Sequence, residues 1–369
     1  MRRLRPVVLL LLVLILCAGC RRQAPDGEIW FVHATDPHLF YGDRPELRQR
    51  QEPMNQQAFS DLVAALDDLP GKPSFLVVSG DFGLDLFAGE PVGVDGAVKL
   101  VAGILGKSPV KDIYLVPGNN DVKDEAPDGP EVAAFQLFWS RVQAQLQGTG
   151  VALHDLTSCY FGGGLSSCWA DVPGTSYRLV GFPSQSFKDG VSPARSGVQL
   201  AQLDRLARLV EQAGPKRVLI VTHIAEIDDP YKLAQIRMRK GPDRQEWAPG
   251  RPEWSAASSW NVPKEVYARW KKIVDSPSVA GVLAGHFHDS HKEIYRRPYG
   301  WSTAPPERAS PGKLYLAPPL SMRYQDTSPI QARGFALFRL KGGGAPERIL
   351  YWYDARTRGF EPDSRSSSS

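Results

Sequence analysis

Short apolar runs at residues 29–32, 75–78, 113–116, 218–221 and 279–283 punctuate this chain, and each gives way within three residues to polar ones. Runs of four or five apolar residues have the length of buried strands and are too short for helices. Between them the apolar period lengthens to three and four. Phe59, Leu62, Val63 and Leu66 share one helical face, as do Phe135, Phe138, Trp139 and Val142 within residues 131–146. The same spacing joins Leu200, Leu203, Leu206 and Leu209, and helices are also expected at 98–105 and 264–274. Strand and helix alternating at this spacing predict an α/β layered fold. Residues 151–182 read as strands, among them 177–182, and three further short strands are expected at 313–316, 335–340 and 348–353. Residues 226–260 break the pattern, being polar and rich in Pro, Gly and Trp, with the length of a functional loop. Residues 361–369 are low in complexity and are expected to be disordered, and no internal repeat is visible.

The N-terminus departs from this alternation. Arg2, Arg3 and Arg5 precede an unbroken apolar run at 7–16. Ten residues fall short of a bilayer-spanning helix and match the hydrophobic region of an export signal. The residues that follow, Leu16-Cys17-Ala18-Gly19-Cys20, resemble a bacterial lipobox with Cys20 as the acylated residue, although a leucine is usual where Cys17 stands. More than one acyl chain on Cys20 would hold the protein at a membrane facing the periplasm or cell exterior; simple cleavage would release a soluble secreted protein. The expected organisation is a leader at 1–19, a tether at 20–27, a single domain at 28–356 with an insertion at about 226–262, and a tail at 357–369. Without Arg2, Arg3 and Arg5 the 44 basic residues fall to 41 against 40 acidic, so the charge offers no case for nucleic acid as a partner. In an oxidising compartment Cys159 and Cys168 are expected to form a local disulfide.

The chemistry lies where the apolar runs stop. There the chain reads Asp36-Pro37-His38, Gly80-Asp81, Gly118-Asn119-Asn120-Asp121, Thr222-His223 and Gly285-His286-Phe287-His288. Ligands at the carboxyl ends of several strands of an α/β fold converge in space. Carboxylates mixed with imidazoles and an amide suit two divalent cations better than a structural zinc, which would favour cysteine. Four of the seven histidines sit on these fragments, which weighs against their being scattered core or surface residues. Within each Asp-x-His and His-x-His pair an extended backbone would put both side chains on one side. Gly80, Gly118 and Gly285 are expected to let the backbone approach the ions.

In this order the fragments resemble the calcineurin-like metallophosphoesterases, over residues 29–288. The resemblance implies a four-layer α/β/β/α sandwich of two mixed sheets flanked by helices. It also implies two divalent cations (Mn, Fe, Zn or Mg), with Asp36, His38 and His288 on the first, Asn119, His223 and His286 on the second, and Asp81 bridging them. The implied reaction is hydrolysis of a phosphate ester by a hydroxide bridging the metals. One position departs from the family: Asn120 stands where a histidine is taken to protonate the leaving group. Absence of a general acid commonly costs about 10²–10⁴ in rate, so a phosphodiester with a good leaving group is slightly favoured over a monoester. Asp121, His33 and His291 are the candidate substitute donors, although strand alternation turns His33 away from Asp36. Trp247, Trp254 and Trp260, with Arg237, Arg239, Lys240 and Arg244, are candidate substrate contacts on the insertion. The competing reading is a metal-binding recognition lipoprotein with little or no turnover.

Overall fold

The computed structural model describes residues 27–41, 49, 51–83, 94–122, 130–184, 193–224, 264–286, 288, 292–296, 298, 312–321 and 332–365. Within them, Ile29–Ala34 (β1), Phe75–Ser79 (β2), Asp112–Val116 (β3) and Ala152–Asp155 (β4) run parallel. Gly334–Leu340 (β10) joins β1 antiparallel, and Glu347–Asp354 (β11) and Gly359–Pro362 (β12) extend that edge. The result is a mixed seven-stranded sheet ordered β12-β11-β10-β1-β2-β3-β4. A second, mixed five-stranded sheet is ordered β5-β6-β7-β8-β9, from Trp169–Asp171 (β5), Tyr177–Phe182 (β6), Arg217–Thr222 (β7), Val279–Ala284 (β8) and Leu314–Leu316 (β9). All five apolar runs that the sequence marks as strands are strands, each lengthened by one or two residues at one end or both.

Alternation along the strands separates two cores. Phe31, Val77, Val116, Ala336 and Phe338 pack with Leu179, Leu219, Leu283 and Tyr315 in the space between the sheets. Val32, Leu76, Val78, Ile113, Leu115 and Leu337 face the other way. They bury against Glu52–Ala65 (α1), Val94–Leu105 (α2) and Pro130–Gln145 (α3). Pro193–Glu211 (α4) and Lys264–Val274 (α5) cover the five-stranded sheet through Leu203, Leu206, Leu209, Val266 and Trp270. The expected sandwich is therefore present, because each sheet must bury both faces and helices supply the outer cover. A short helix, Glu293–Arg296 (α6), precedes β9, and no described helix is long and apolar enough to cross a membrane.

Two expectations need correction. The stretch 151–182 is not continuous strand. Between β4 and β5 the chain makes two tight helical turns, Ser158–Phe161 and Leu165–Cys168, closed by a Cys159–Cys168 disulfide. The disordered tail, placed from residue 357, in fact begins with β12, which pairs with β11 in the register Tyr353↔Phe360. Phe360 lies 4.9 Å from the Phe335 ring and 5.0 Å from the Tyr353 ring, and Arg296 donates to Asp363 at 2.7 Å. One aromatic residue and one buried ion pair order a stretch whose composition alone looks unstructured. Cys20, the leader, the tether and residues 225–263 lie outside the described residues.

Candidate metal centre

All five polar fragments lie at the carboxyl ends of β1, β2, β3, β7 and β8. These are neighbours in the order β1-β2-β3 in one sheet and β7-β8 in the other. One donor atom each from Asp36, Asp81, His223 and His286 lies within 4.8 Å of the others, and Asp36, His38 and His288 form a second such group. Asp36 Oδ1 is 2.9 Å from His288 Nε2 and 3.9 Å from both His38 Nε2 and His223 Nε2. Asp81 Oδ2 is 3.2 Å from His223 Nε2 and 3.7 Å from His38 Nε2, within reach of both groups as a bridging carboxylate requires. Asp36 also enters both groups, a share that the sequence reading reserved for Asp81.

The ligand backbones are not extended, which corrects the simple same-side argument. Asp36, His38, Asp81 and His286 have φ of 51, 42, 56 and 71°, in the left-handed region that non-glycine residues avoid. Such residues cost about 1–3 kcal/mol each and persist only where their surroundings over-determine them. The surroundings here are specific. Asp36 N donates to Gly80 O at 3.1 Å and His38 N to Asp81 O at 2.8 Å, so the loops after β1 and β2 run together. A methyl at Gly118 would collide with the Asp81 carboxylate, and one at Gly285 would strike the Thr35 hydroxyl and lie 2.8 Å from Asp36 Oδ2. Close approach, more than turn geometry, explains the glycine at both positions.

Asp36, His223 and Asp81 are each oriented by partners behind them. Thr35 Oγ1 donates to Asp36 Oδ2 at 2.6 Å, and His286 N donates to the same oxygen at 2.8 Å, leaving Oδ1 turned to the imidazoles. His223 Nδ1 lies 2.8 Å from Ser79 O, so this nitrogen carries the proton and Nε2 faces the carboxylates. Asn120 donates from its backbone N to Asp81 Oδ1 at 2.9 Å and from Nδ2 to Oδ2 at 2.6 Å. Asp121 is not placed to deliver a proton to a substrate. Its Oδ1 accepts from Phe82 N and Gly83 N, and its Oδ2 from Gly118 N, so it ties the β2 and β3 loops together. Burial, with the Asp81 charge added, pushes its carboxyl up to about 8 against those backbone bonds. His33 faces the core between the sheets, bonded at 2.8 Å to Ser79 Oγ, and burial holds it down at about 3. His291 and the three insertion tryptophans lie outside the described residues. Sequence reasoning missed Thr35 and Ser79, and it had no signal for a role played by a backbone carbonyl.

The electrostatics call for positive charge. Burial disfavours ionised Asp36 and Asp81, but the neighbouring histidines outweigh it and hold both carboxyls well below the usual range. Burial lowers His223, yet Asp81 and Asp36 reverse the sign and raise it to about 9. His38 is lowered to about 4 and His286 well below its ordinary value, burial being the largest cause in both. Ring nitrogens approach one another closely: His38 Nε2 and His288 Nε2 at 3.2 Å, His286 Nδ1 and His223 Nε2 at 3.0 Å. Asn119 Oδ1 is buried with no hydrogen-bond donor. Clustered acceptors of this kind are costly unless a shared cation satisfies them, and the mix of hard oxygens and imidazoles fits divalent ions.

A two-sheet sandwich with Asp, Asn and His donors gathered at adjoining strand ends defines a protein suited to hold divalent cations. The Calcineurin-like phosphoesterase family model matches residues 29–290, and the chain belongs to that family of metal-dependent phosphoesterases. No curated protein matches the chain in sequence. Among solved structures it is similar to a dimetal phosphatase from Danio rerio, with 14% identity over 87% of this chain and 95% of that one, at a TM-score of 0.48. It is also similar to the purple acid phosphatase PPD1 of yellow lupin (Lupinus luteus), with 10% identity, 92% and 53% covered, and a TM-score of 0.42. The chain thus spans about half the length of the lupin protein. A structure of PhoD aligns with 10% identity over 92% and 73% of the two chains, at a TM-score of 0.46.

Proposed function

We propose that the chain hydrolyses a phosphate ester, phosphodiesters slightly ahead of monoesters, at a two-cation centre. Asp36, His38 and His288 hold one ion, Asn119, His223 and His286 the other, and Asp81 reaches both. The observation that supports this most is the reach of Asp81 Oδ2 to imidazoles from both groups, 3.2 and 3.7 Å away. Two divalent cations supply charge for the phosphoryl oxygens and a water acidic enough to attack near neutral pH.

The chain's own residues determine the rest. Asp36 and Asp81, held ionised by their histidine neighbours, are available as ligands without losing a proton first. Thr35 and Ser79 fix the Asp36 rotamer and the His223 tautomer, so little reorganisation is needed as charge develops. Asn120, in the place of the family's acid, donates hydrogen bonds but has no proton to give. A substrate whose leaving group departs without protonation therefore fits this site best, and that is the ground for favouring diesters and other activated esters.

Hydrolysis of bis-p-nitrophenyl phosphate by manganese-loaded protein tests the reading. Activity is expected well above that of Asp81→Asn, and equal rates would favour recognition without turnover. The leader supports placement of this domain at a membrane through an acylated Cys20. Loss of palmitate labelling and of membrane association in Cys20→Ala is the expected result.

A further inference from the structure

We propose that Asn55, in the second turn of α1, is a positioning residue that holds the Asp36–His38 half of the centre, and that its loss costs one cation and spares the other. This rests on the two-cation reading above. Residues 36–41 leave β1 as an irregular loop that carries two ligands in left-handed conformations. On one side the loop is bonded to the β2 extension, through His38 N to Asp81 O and Leu39 N to Phe82 O at 2.6 Å. On the other side it meets the first turns of α1, whose polar residues turn toward the loop.

Asn55, fully buried, donates from Nδ2 to His38 O and to Tyr41 Oη, both at 3.0 Å. Gln56 Nε2 donates to Leu39 O at 2.9 Å, and Glu52 Oε1 accepts from Tyr41 N at 2.7 Å. Tyr41 in turn donates from Oη to Gln51 Oε1 at 3.0 Å and lies parallel to the His38 ring, the planes 8° apart and the centroids 6.2 Å apart. Residues 52, 55 and 56 share one face of a helix, so a single rigid element grips the carbonyls at 38 and 39 and the amide at 41. Asn55 is the one that touches the backbone of a ligand residue itself. It bonds at once to the ligand's carbonyl and to the phenol of the tyrosine stacked on the ligand's ring.

The bonds that hold the other half come from outside α1. His223 continues β7, with its Nδ1 on Ser79 O, and Asp81 is gripped by Asn120. Truncating Asn55 should free the His38 carbonyl and the Tyr41 ring together while leaving those bonds in place. Outer-shell partners of metal ligands commonly carry about 10–100-fold in metal affinity, and that is the effect expected at one ion only.

The test uses the full chain, stripped of metal and titrated with Mn²⁺, followed by calorimetry and by the paramagnetic resonance spectrum. Wild-type protein is expected to take two ions and to show the spectrum of a coupled pair. Asn55→Ala should keep one ion at unchanged affinity and weaken the other about 10–100-fold, so that at two equivalents per chain, where wild type shows only the coupled pair, it shows an uncoupled Mn²⁺ signal. Gln57→Ala, which removes a bond to Asp61 on the same helix, should behave as wild type. If Asn55→Ala does not fold, Gln56→Ala carries the test, with a smaller loss expected at the same single ion. Two ions bound as in wild type by the folded variant, or both ions weakened equally, overturns the role of Asn55 and leaves the two-cation reading intact. Failure of the wild-type chain itself to bind two ions overturns both.

Discussion

The two sheets contribute unlike chemistry to one centre. Asp36, His38, Asp81 and Asn119 come from the ends of β1, β2 and β3 in the seven-stranded sheet, which supplies every oxygen donor. The five-stranded sheet supplies only imidazoles, His223, His286 and His288, from β7 and β8. The oxygen side is strained, with three of the four left-handed ligand residues, and dense in backbone and side-chain bonds. On the imidazole side His223 simply extends a regular strand, and its proton is placed by Ser79 O of the opposite sheet. His286 N reaches back to Asp36 Oδ2. Neither sheet therefore has a complete site, and the bonds that orient ligands on one side come partly from the other. Cation binding and the docking of the two sheets should stabilise each other for that reason.

The largest expected effect comes from the oxygen side. Asp81→Asn should abolish turnover and remove at least one cation, read by metal analysis and phosphodiester hydrolysis. Full activity would show that the imidazoles suffice and break the comparison. Asn120→His should raise the rate on esters with poor leaving groups by up to about 10²-fold, and much less on nitrophenyl esters; equal gains on both would remove the account of that position. Gly118→Ala presses a methyl on Asp81 and should weaken cation affinity by about 10–100-fold with little change in fold, seen by titration and circular dichroism. His33 sharpens the picture through pH. Its folded pKa of about 3 lies below the ordinary 6.5, so its contribution to stability is present above pH 6.5 and lost as pH falls toward 3. Metal-free protein should lose up to about 1.4 kcal/mol per pH unit there, and His33→Asn should flatten that slope in denaturant titrations. The smallest effect on function belongs to the loop after β4. Removing the Cys159–Cys168 bond should cost about 2–3 kcal/mol in stability with cation binding unchanged. A lost cation in that variant would mean that the loop reaches the centre.

Much of this arrangement is legible in the chain before folding. The ligand-bearing fragments follow apolar runs because strands in a two-sheet sandwich are buried on both faces and must end before polar groups begin. That is why the runs beginning at 29, 75, 113, 218 and 279 all lie in strands as expected. His33 is legible too, since an odd position in β1 has to face the core between the sheets. Asp121 is not. A carboxylate beside a motif asparagine reads as catalytic until the backbone amides of Phe82, Gly83 and Gly118 are seen to take both its oxygens. β12 was hidden for another reason: its order comes from Phe360 and Asp363 meeting residues far away in the chain, which local composition does not record.

By itself the order of residues determined the ligand-bearing strands, where they stop and which side chains carry donor atoms. These follow from burial and from the chemistry of single residues. Folding in three dimensions decided what faces those donors: the left-handed backbone at Asp36, His38, Asp81 and His286, the carbonyl of Ser79 behind His223, and the grip of Asn55 on His38. Hydrogen bonds and crowding between segments up to 250 residues apart set these features, and no period or motif along the chain encodes such distances.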